Sequence, residues 1–334
     1  MGVIPTAREL GSQAVGSGRP PAAAYAASHA AFELKKNEYQ RSFVMAVGII
    51  AFVLAIAGMA APAGAQSLFS SFSGKLLLTG GVNTVEGSAG GGLTPWAVTG
   101  GYGSATQIGG NVYATTVNTT DYRITSYGGV ISAFDRVELS LSKQSFDTQK
   151  VGGALGLGDG FTIDQTTAGI KVRLIGDAVL DQDEWWPQVA AGAQFKSNDK
   201  GWLVKALGAR DDKGTDYYIS ATKLLLAQGV LLNATVRETK ANQYGILGFG
   251  GIDNRYHTQI EGSAAYLVNR HIAIGAEVRT KPDDLAVAHE GTAYDAFVAI
   301  APCKSFSVTL AWVDLGNIVT RRQTGVYASL QAGF

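Results

Sequence analysis

The side chains of this 334-residue chain that could do chemistry are few and widely spaced. Its histidines are His29, His257, His271 and His289. His257 is followed at every second position by Gln259, Glu261 and Ser263, so an extended strand would set all four on one face. A His–Glu pair could orient a general base, but catalysis also needs a nucleophile and an oxyanion site. Alternate strand residues lie about 6 to 7 Å apart, too far for a direct hydrogen bond. His257 is therefore read as a pore or rim residue, and no catalytic residue is assigned. Gly80-Gly81 and Gly87 to Gly92 match neither a GxxxxGK[ST] loop nor a strand-GxGxxG-helix unit, and are read as glycines for close packing or flexibility. Asp181, Asp183 and Glu184 offer oxygen ligands but lack the spacing of a calcium loop. They and Asp211-Asp212 read as solvated turns, so neither a metal nor a cofactor is expected. The single cysteine, Cys303, excludes an internal disulfide framework, and in a turn it is expected to pack rather than react.

What remains is a set of isolated charges: Arg136, Glu138, Lys171, Arg173, Arg237, Glu261, Glu277 and Arg279. They fall on the polar side of stretches with period two. Leu139 and Leu141 alternate with Glu138, Ser140 and Ser142; Ile170, Val172 and Leu174 alternate with Lys171 and Arg173. Val230, Leu232, Ala234 and Val236 oppose Asn233, Thr235 and Arg237, and Ile272, Ile274, Ala276 and Val278 oppose Glu277 and Arg279. Phe306 to Trp312 and Val326 to Phe334 repeat the pattern. Such alternation marks a half-buried strand. A soluble sandwich or barrel would alternate too, but three features favour a wall that faces lipid. The stretches approach the 9 to 11 residues of a tilted membrane strand. Their polar faces carry Gly, Ser and Thr with single charges, in a chain only 16% charged. Aromatics such as Tyr217, Tyr256, Tyr266, Tyr294, Trp312 and Phe334 stand near strand ends, where membrane barrels carry girdles.

The elements that must position these charges form a closed antiparallel transmembrane β-barrel, because an open sheet edge in lipid leaves backbone groups unpaired. Short connections at Phe134-Asp135-Arg136, Ala227-Gln228-Gly229, Val268 to His271 and Pro302 to Ser305 alternate with longer ones at Asp147 to Gly160, Ser197 to Asp216, Lys240 to Arg255 and Thr280 to Thr292. Periplasmic turns are short and outer loops long in such barrels. Twelve strands read from about Ile108 to Phe334, with a thirteenth at Trp96 to Ser104. Lys75 to Val85 would make fourteen; otherwise 75–104 is a Gly-rich plug in the lumen. Even strand number inclines the count toward fourteen.

Ahead of the barrel, Phe43 to Ala61 is a long apolar run preceded by Lys35, Lys36 and Arg41 and followed by Ala63-Gly64-Ala65. That order describes a secretory signal peptide with its cleavage site; the rival is an uncleaved anchor. The expected organisation is a disordered extension or misassigned start over 1–42, the signal hydrophobic region and cleavage site over 43–65, a Gly-rich segment (first hairpin or plug) over 66–104, and the barrel over 105–334. Lys plus Arg equals Asp plus Glu, 27 against 27, which argues against a nucleic-acid partner.

The C-terminal strand, with Val326, Leu330 and Phe334 at its alternate positions, resembles the C-terminal signature of outer-membrane proteins, which implies recognition by the barrel-assembly machinery. Ala332 departs from that signature, where a Tyr is often found. The stretch Lys75 to Gly103, together with Asp135 to Ser140, Lys171 to Val179, Ala221 to Gln228, Thr239 to Gly251 and the terminal SLQAGF, resembles an uncharacterised family of Gram-negative envelope proteins. That family is a domain of unknown function regarded as an outer-membrane barrel. The resemblance implies fold, outer-membrane lipid as partner, and location, and supplies no reaction. The function expected from the polar lumen is a passive channel or transporter for small polar solutes, because mixed charges facing water set up a selecting field. The alternatives are a structural or interaction barrel whose charges pair across the lumen, and an outer-membrane enzyme.

Overall fold

The computed structural model describes residues 74–319 and 321–334; the proposed extension and signal peptide lie outside them. Twelve long strands close on themselves. They are β3 (Ile108–Thr119), β4 (Arg123–Ala133), β5 (Val137–Asp147), β6 (Thr162–Ile175), β7 (Gln188–Asn198), β8 (Lys213–Leu225), β9 (Val230–Thr239), β10 (His257–Asn269), β11 (Ile272–Arg279), β12 (Ala293–Cys303), β13 (Phe306–Ile318) and β14 (Arg321–Gly333). Each pairs antiparallel with its sequence neighbour, and β14 returns to β3 with Gly333 opposite Asn111 and Gly325 opposite Thr119. Before them lies a small hairpin of β1 (Val82–Asn83) and β2 (Ala89–Gly90), which pairs with none of the wall strands.

The alternation decides which way the wall faces. Leu141, Ile260 and Val326 are 60%, 64% and 59% exposed on the outside, while Glu138 and Glu261 on the opposite faces are 1% and 0% exposed. A barrel stable in water would bury the first group and wet the second. Here a continuous apolar belt is left outside, as a wall against hydrocarbon requires. Tyr217, Tyr256 and Tyr294 stand exposed near one rim, and Tyr266, Phe134 and Phe306 near the other.

The rims differ. One carries the longer loops 148–161, 199–212, 240–256 and 280–292, with short helices at Gln149–Ala154 and Gly201–Ala206. The other carries tight turns and both described ends of the chain. Each rim has exceptions: loop 176–187 joins the short-turn rim, and 120–122 is a tight link at the long-loop rim. Cys303 ends β12 exposed at the short-turn rim rather than packed, because the register of β12 against β13 shifts between Ile300 and Cys303 and sets Cys303 opposite the outward Phe306.

The count is twelve, so the parity argument for fourteen fails. Lys75 to Val85 and Trp96 to Ser104 are not wall strands. They bring no outward apolar alternation to face lipid, and Gly100, Gly101 and Gly103 leave the second stretch few side chains for any wall. Both run inside the ring, where polar side chains from the wall satisfy their backbone.

Candidate functional site

The lumen is filled from two ends, and the filling organises the charges. The N-terminal segment 74–104 enters at the short-turn rim and is buried almost throughout from Thr79 onward. Its base is fixed by Tyr102 N donating to Phe334 O at 2.9 Å, and by Lys75 Nζ at 2.7 Å from Asp135 Oδ1, whose other oxygen binds Arg173 Nη1 at 2.7 Å. The β1–β2 hairpin turns through Gly87, at φ +103°, where a Cβ would sit 2.9 Å from the Ser142 side chain. At Gly91 a Cβ would meet Glu277 Oε1 at 2.0 Å. The glycine run thus lets a backbone lie directly against lumenal side chains.

Those side chains then act on the backbone. Lys171 and Glu138, both 1% exposed, pair at 3.2 Å. The Lys171 ammonium donates to the carbonyls of Ala89, Trp96 and Val98 at 2.9, 3.1 and 2.7 Å. Glu138 accepts from Ala89 N at 3.1 Å and Gly100 N at 2.8 Å. Glu277 accepts from Leu93 N at 2.8 Å, Thr94 Oγ1 at 2.5 Å and Ser263 Oγ at 2.7 Å. Ser220 and Thr235 donate to Pro95 O, while Gln188 donates to Ala97 O and Thr222 accepts from Ala97 N.

Glu86, in the hairpin turn, enters the densest ionic cluster. Its carboxylate touches Lys196 and lies 2.6 Å from Arg279 Nη1 and 4.0 Å from Arg237 Nη2. Lys196 also meets Asp216 at 2.5 Å; Arg237 meets Glu261 at 2.5 Å and Asp216 at 3.3 Å; Arg279 meets Glu261 at 3.2 Å. The wall supplies three cations against two anions, and Glu86 makes the third anion. Burial by itself raises the Glu86 pKa, but Arg279, Lys196 and Arg237 outweigh it and hold the carboxyl well below the usual carboxylate range.

From the other rim, loop 240–256 folds inward. A short helical turn at Asn242–Gly245 is buried with Ile246, Leu247 and Phe249. Tyr244 O accepts from Lys196 Nζ at 3.2 Å and Gln165 Nε2 at 3.1 Å, and the Tyr244 ring lies 4.2 Å from the Arg279 guanidinium. Lys281, in the neighbouring loop, donates to Gln243 Oε1 at 2.6 Å, and Glu290 accepts from Gln243 N at 2.7 Å. The two fillings therefore meet at the Glu86 cluster.

Of the charges selected from sequence, Glu138, Lys171, Arg237, Glu261, Glu277 and Arg279 face the lumen. Arg173 sits at the short-turn rim with Asp135 and Asp177. Arg136 stands apart: it is exposed in a turn, donating to Arg173 O and Leu174 O at 3.5 and 3.4 Å. Of the C-terminal signature residues, Val326 and Leu330 project outward, and Phe334 O ties down the plug base. Sequence reading missed Lys196, Asp216 and Glu86. Asp216 was hidden because Ser197 to Asp216 reads as one polar loop, whereas β7 reaches Asn198 and β8 begins at Lys213; Lys196 stands just before that stretch, outside the alternating segments named from sequence. Parity with Gln194 was the available signal for Lys196. Glu86 is a lone acid in a Gly-rich run, and sequence gives it no partner.

His257 lies at the long-loop rim beside Asp253, and Ser263 does not serve it. Ser263 bonds Glu277 and the plug's Trp96 Nε1, about 20 Å along the strand.

Comparison with solved structures gives barrels at low identity. The KdgM porin is 10% identical, with TM-score 0.45, covering 67% of this chain and 99% of that chain. The COG4313 outer membrane channel from Pseudomonas putida F1 is 15% identical, with TM-score 0.40, covering 72% and 97%. The outer membrane phospholipase A from Escherichia coli is 8% identical, with TM-score 0.35, covering 67% and 92%. Similarity at this level carries no inference about what the chain does. No curated protein sequence matches it. Residues 79–331, reaching from the plug into the last wall strand, match the family described as protein of unknown function (DUF3034), and this chain belongs to that family.

Proposed function

We propose that the chain is a Gram-negative outer-membrane channel for small polar solutes, closed by its own N-terminal segment and opened when that segment shifts. The observation that carries this is how the lumen is filled. An apolar interior would stay dry if its filling left, whereas this wall presents Glu138, Lys171, Arg237, Glu261, Glu277 and Arg279, which can hold water. The filling is a tethered segment bound through hydrogen bonds and ion pairs that water can replace. With those charges at most 3% exposed, water does not run past them in the closed arrangement. That same burial supports a second reading, a structural barrel with a permanently filled lumen. Assembly through Val326, Leu330 and Phe334 and insertion in outer-membrane lipid belong to either reading.

Single-channel recording in planar bilayers tests the proposal. The full chain is expected to be mostly closed with rare openings, and Glu86→Gln, which leaves three buried cations against two anions, should open more often. Removal of 75–98 should give a steady, ohmic conductance. A chain without 75–98 that inserts but carries no current would defeat the channel and leave the structural reading.

A further inference from the structure

The long-loop rim carries a polar cluster that the lumenal network does not use. Asp253 lies in the loop before β10, His257 is the first residue of β10, and Asp284 lies in the loop between β11 and β12. His257 Nε2 is 3.3 Å from Asp253 Oδ1 and 3.9 Å from Asp284 Oδ2. The three potential ligand atoms all lie within 4.8 Å of one another.

The surrounding bonds fix these groups while leaving His257 Nε2 and Asp284 Oδ2 without a hydrogen-bond partner. Asp284 Oδ1 accepts from Asp253 N at 2.9 Å, and its carbonyl accepts from Ile252 N at 2.8 Å. Asp284 is 4% exposed, and its Oδ2 is buried without a hydrogen-bond partner. His257 Nε2 is likewise buried and unbonded. Asp253 Oδ2 is held by the Arg255 side chain at 2.6 and 3.1 Å, and Oδ1, which accepts from Arg255 N at 3.0 Å, is the oxygen turned to the histidine. A buried carboxylate oxygen facing an unpaired ring nitrogen costs free energy, and folded proteins give such atoms a partner.

We propose that Asp253, His257 and Asp284 bind a divalent transition-metal ion of the zinc class. One imidazole and two carboxylates suit Zn²⁺, which takes three protein ligands and keeps a fourth position for water. Calcium and magnesium prefer oxygen donors alone, so the histidine turns the site away from them. Ligand bonds of about 2.0 to 2.2 Å in a tetrahedron set neighbouring donors roughly 3.3 to 3.6 Å apart. The observed 3.3 and 3.9 Å lie close to that spacing before any ion draws the donors in. The ion would staple loop 240–256, which folds over the lumen, to loop 280–292, whose Lys281 and Glu290 hold Gln243. Binding stands independently of whether the barrel conducts.

The test uses the full chain in detergent micelles, stripped with a chelator and titrated with Zn²⁺ by calorimetry and with Co²⁺ by visible absorption. One ion per chain is expected, with the ligand-field bands of four- or five-coordinate Co²⁺. His257→Ala and Asp284→Asn should each raise the dissociation constant by at least about 100-fold, the upper end of what even outer-shell changes cost. His289→Ala, at an exposed histidine paired with Asp283 elsewhere on the rim, should leave it unchanged. Asp284→Asn retains a side-chain acceptor for Asp253 N, and the heat-dependent gel shift of the barrel checks its folding. If a variant misfolds, the Co²⁺ spectrum of the unaltered chain decides. No saturable binding, octahedral bands alone, or an affinity that follows His289 instead would each overturn the site.

Discussion

Segment 74–104 and loop 240–256 enter the same lumen from opposite rims, and the first is held by far more charge than the second. The first is bound mainly through its backbone, with Glu86 as its buried charge and Val85, Leu93, Trp96 and Val98 as its apolar side chains; the wall reaches inward to hold it through Lys171, Glu138, Glu277 and the Glu86 cluster. The second brings its own apolar side chains, Tyr244, Ile246, Leu247 and Phe249, and offers mainly carbonyls to Lys196, Gln165 and Asn198. Charge buried in a low dielectric is costly to leave unmatched, so the plug should dock nearly all-or-none. Apolar contact and dispersed carbonyl bonds give way gradually, so the cap should loosen in steps. Arg279 joins the two, binding Glu86 on one side and stacking on Tyr244 on the other.

That contrast can be broken at its strongest point first. Glu86→Gln keeps the side-chain shape but strands Lys196, Arg237 and Arg279, and should cost plug docking about 3–5 kcal/mol. Hydrogen exchange by mass spectrometry should show amides 82–98 losing protection while those of 242–249 change far less; equal loss in both segments would merge them into one unit. Lys171→Met removes one ammonium from three carbonyls and should cost about 2–3 kcal/mol, confined to the plug by the same measurement. Tyr244→Leu removes the ring beneath Arg279 and should cost about 1–2 kcal/mol. Tyr244→Phe should be close to neutral, because the hydroxyl is buried without a partner; a large loss on Tyr244→Phe would assign the hydroxyl a role that the geometry does not give it.

The cap should also answer to pH where the plug does not. Burial pushes the Glu290 carboxyl from its ordinary 4.5 up to about 7, against the opposing pull of Lys281. Burial also pushes the Lys281 ammonium from 10.5 down to about 8, against the opposing effect of Glu290. A raised acid holds its proton longer when docked, so stability of the docked loop falls as pH climbs from about 4.5 to about 7. A lowered base holds its proton less well when docked, so stability recovers as pH climbs from about 8 to about 10.5. Protection of loop 280–292 should therefore be lowest between about pH 7 and 8, and Glu290→Gln should flatten the acid limb. Protection that rises steadily from pH 5 to 8 would contradict this. The Glu86 carboxyl, held far below the usual range by its cations, should stay ionised throughout.

Much of the wall was legible because alternation has no freedom: at period two, a strand that puts Leu139 and Leu141 on one side must put Glu138 and Ser140 on the other. The same logic sets Lys171, Arg237 and Arg279 on the inner face, where all three are buried. It failed where polar residues prolong a strand beyond its apolar stripe, which is how Asp216 was lost in the loop read from Ser197, and Lys196 at its border. It also failed at Arg136, whose parity is right but whose backbone belongs to a turn.

The sequence by itself determined that a barrel would form and which face would be apolar, since both follow from local period and from the need to pair every backbone group in lipid. Whether residues 75–104 would join the wall or fill it was left open by sequence, because a Gly-rich stretch satisfies either neighbour. The tertiary structure decided it: twelve strands leave a lumen wide enough for a hairpin, and Lys171, Glu138 and Glu277 converge there on backbone groups from distant parts of the chain. The pairing of Glu86 with Lys196 and Arg279, across 110 and 193 positions, is likewise a property of ring closure. No local spacing encodes it.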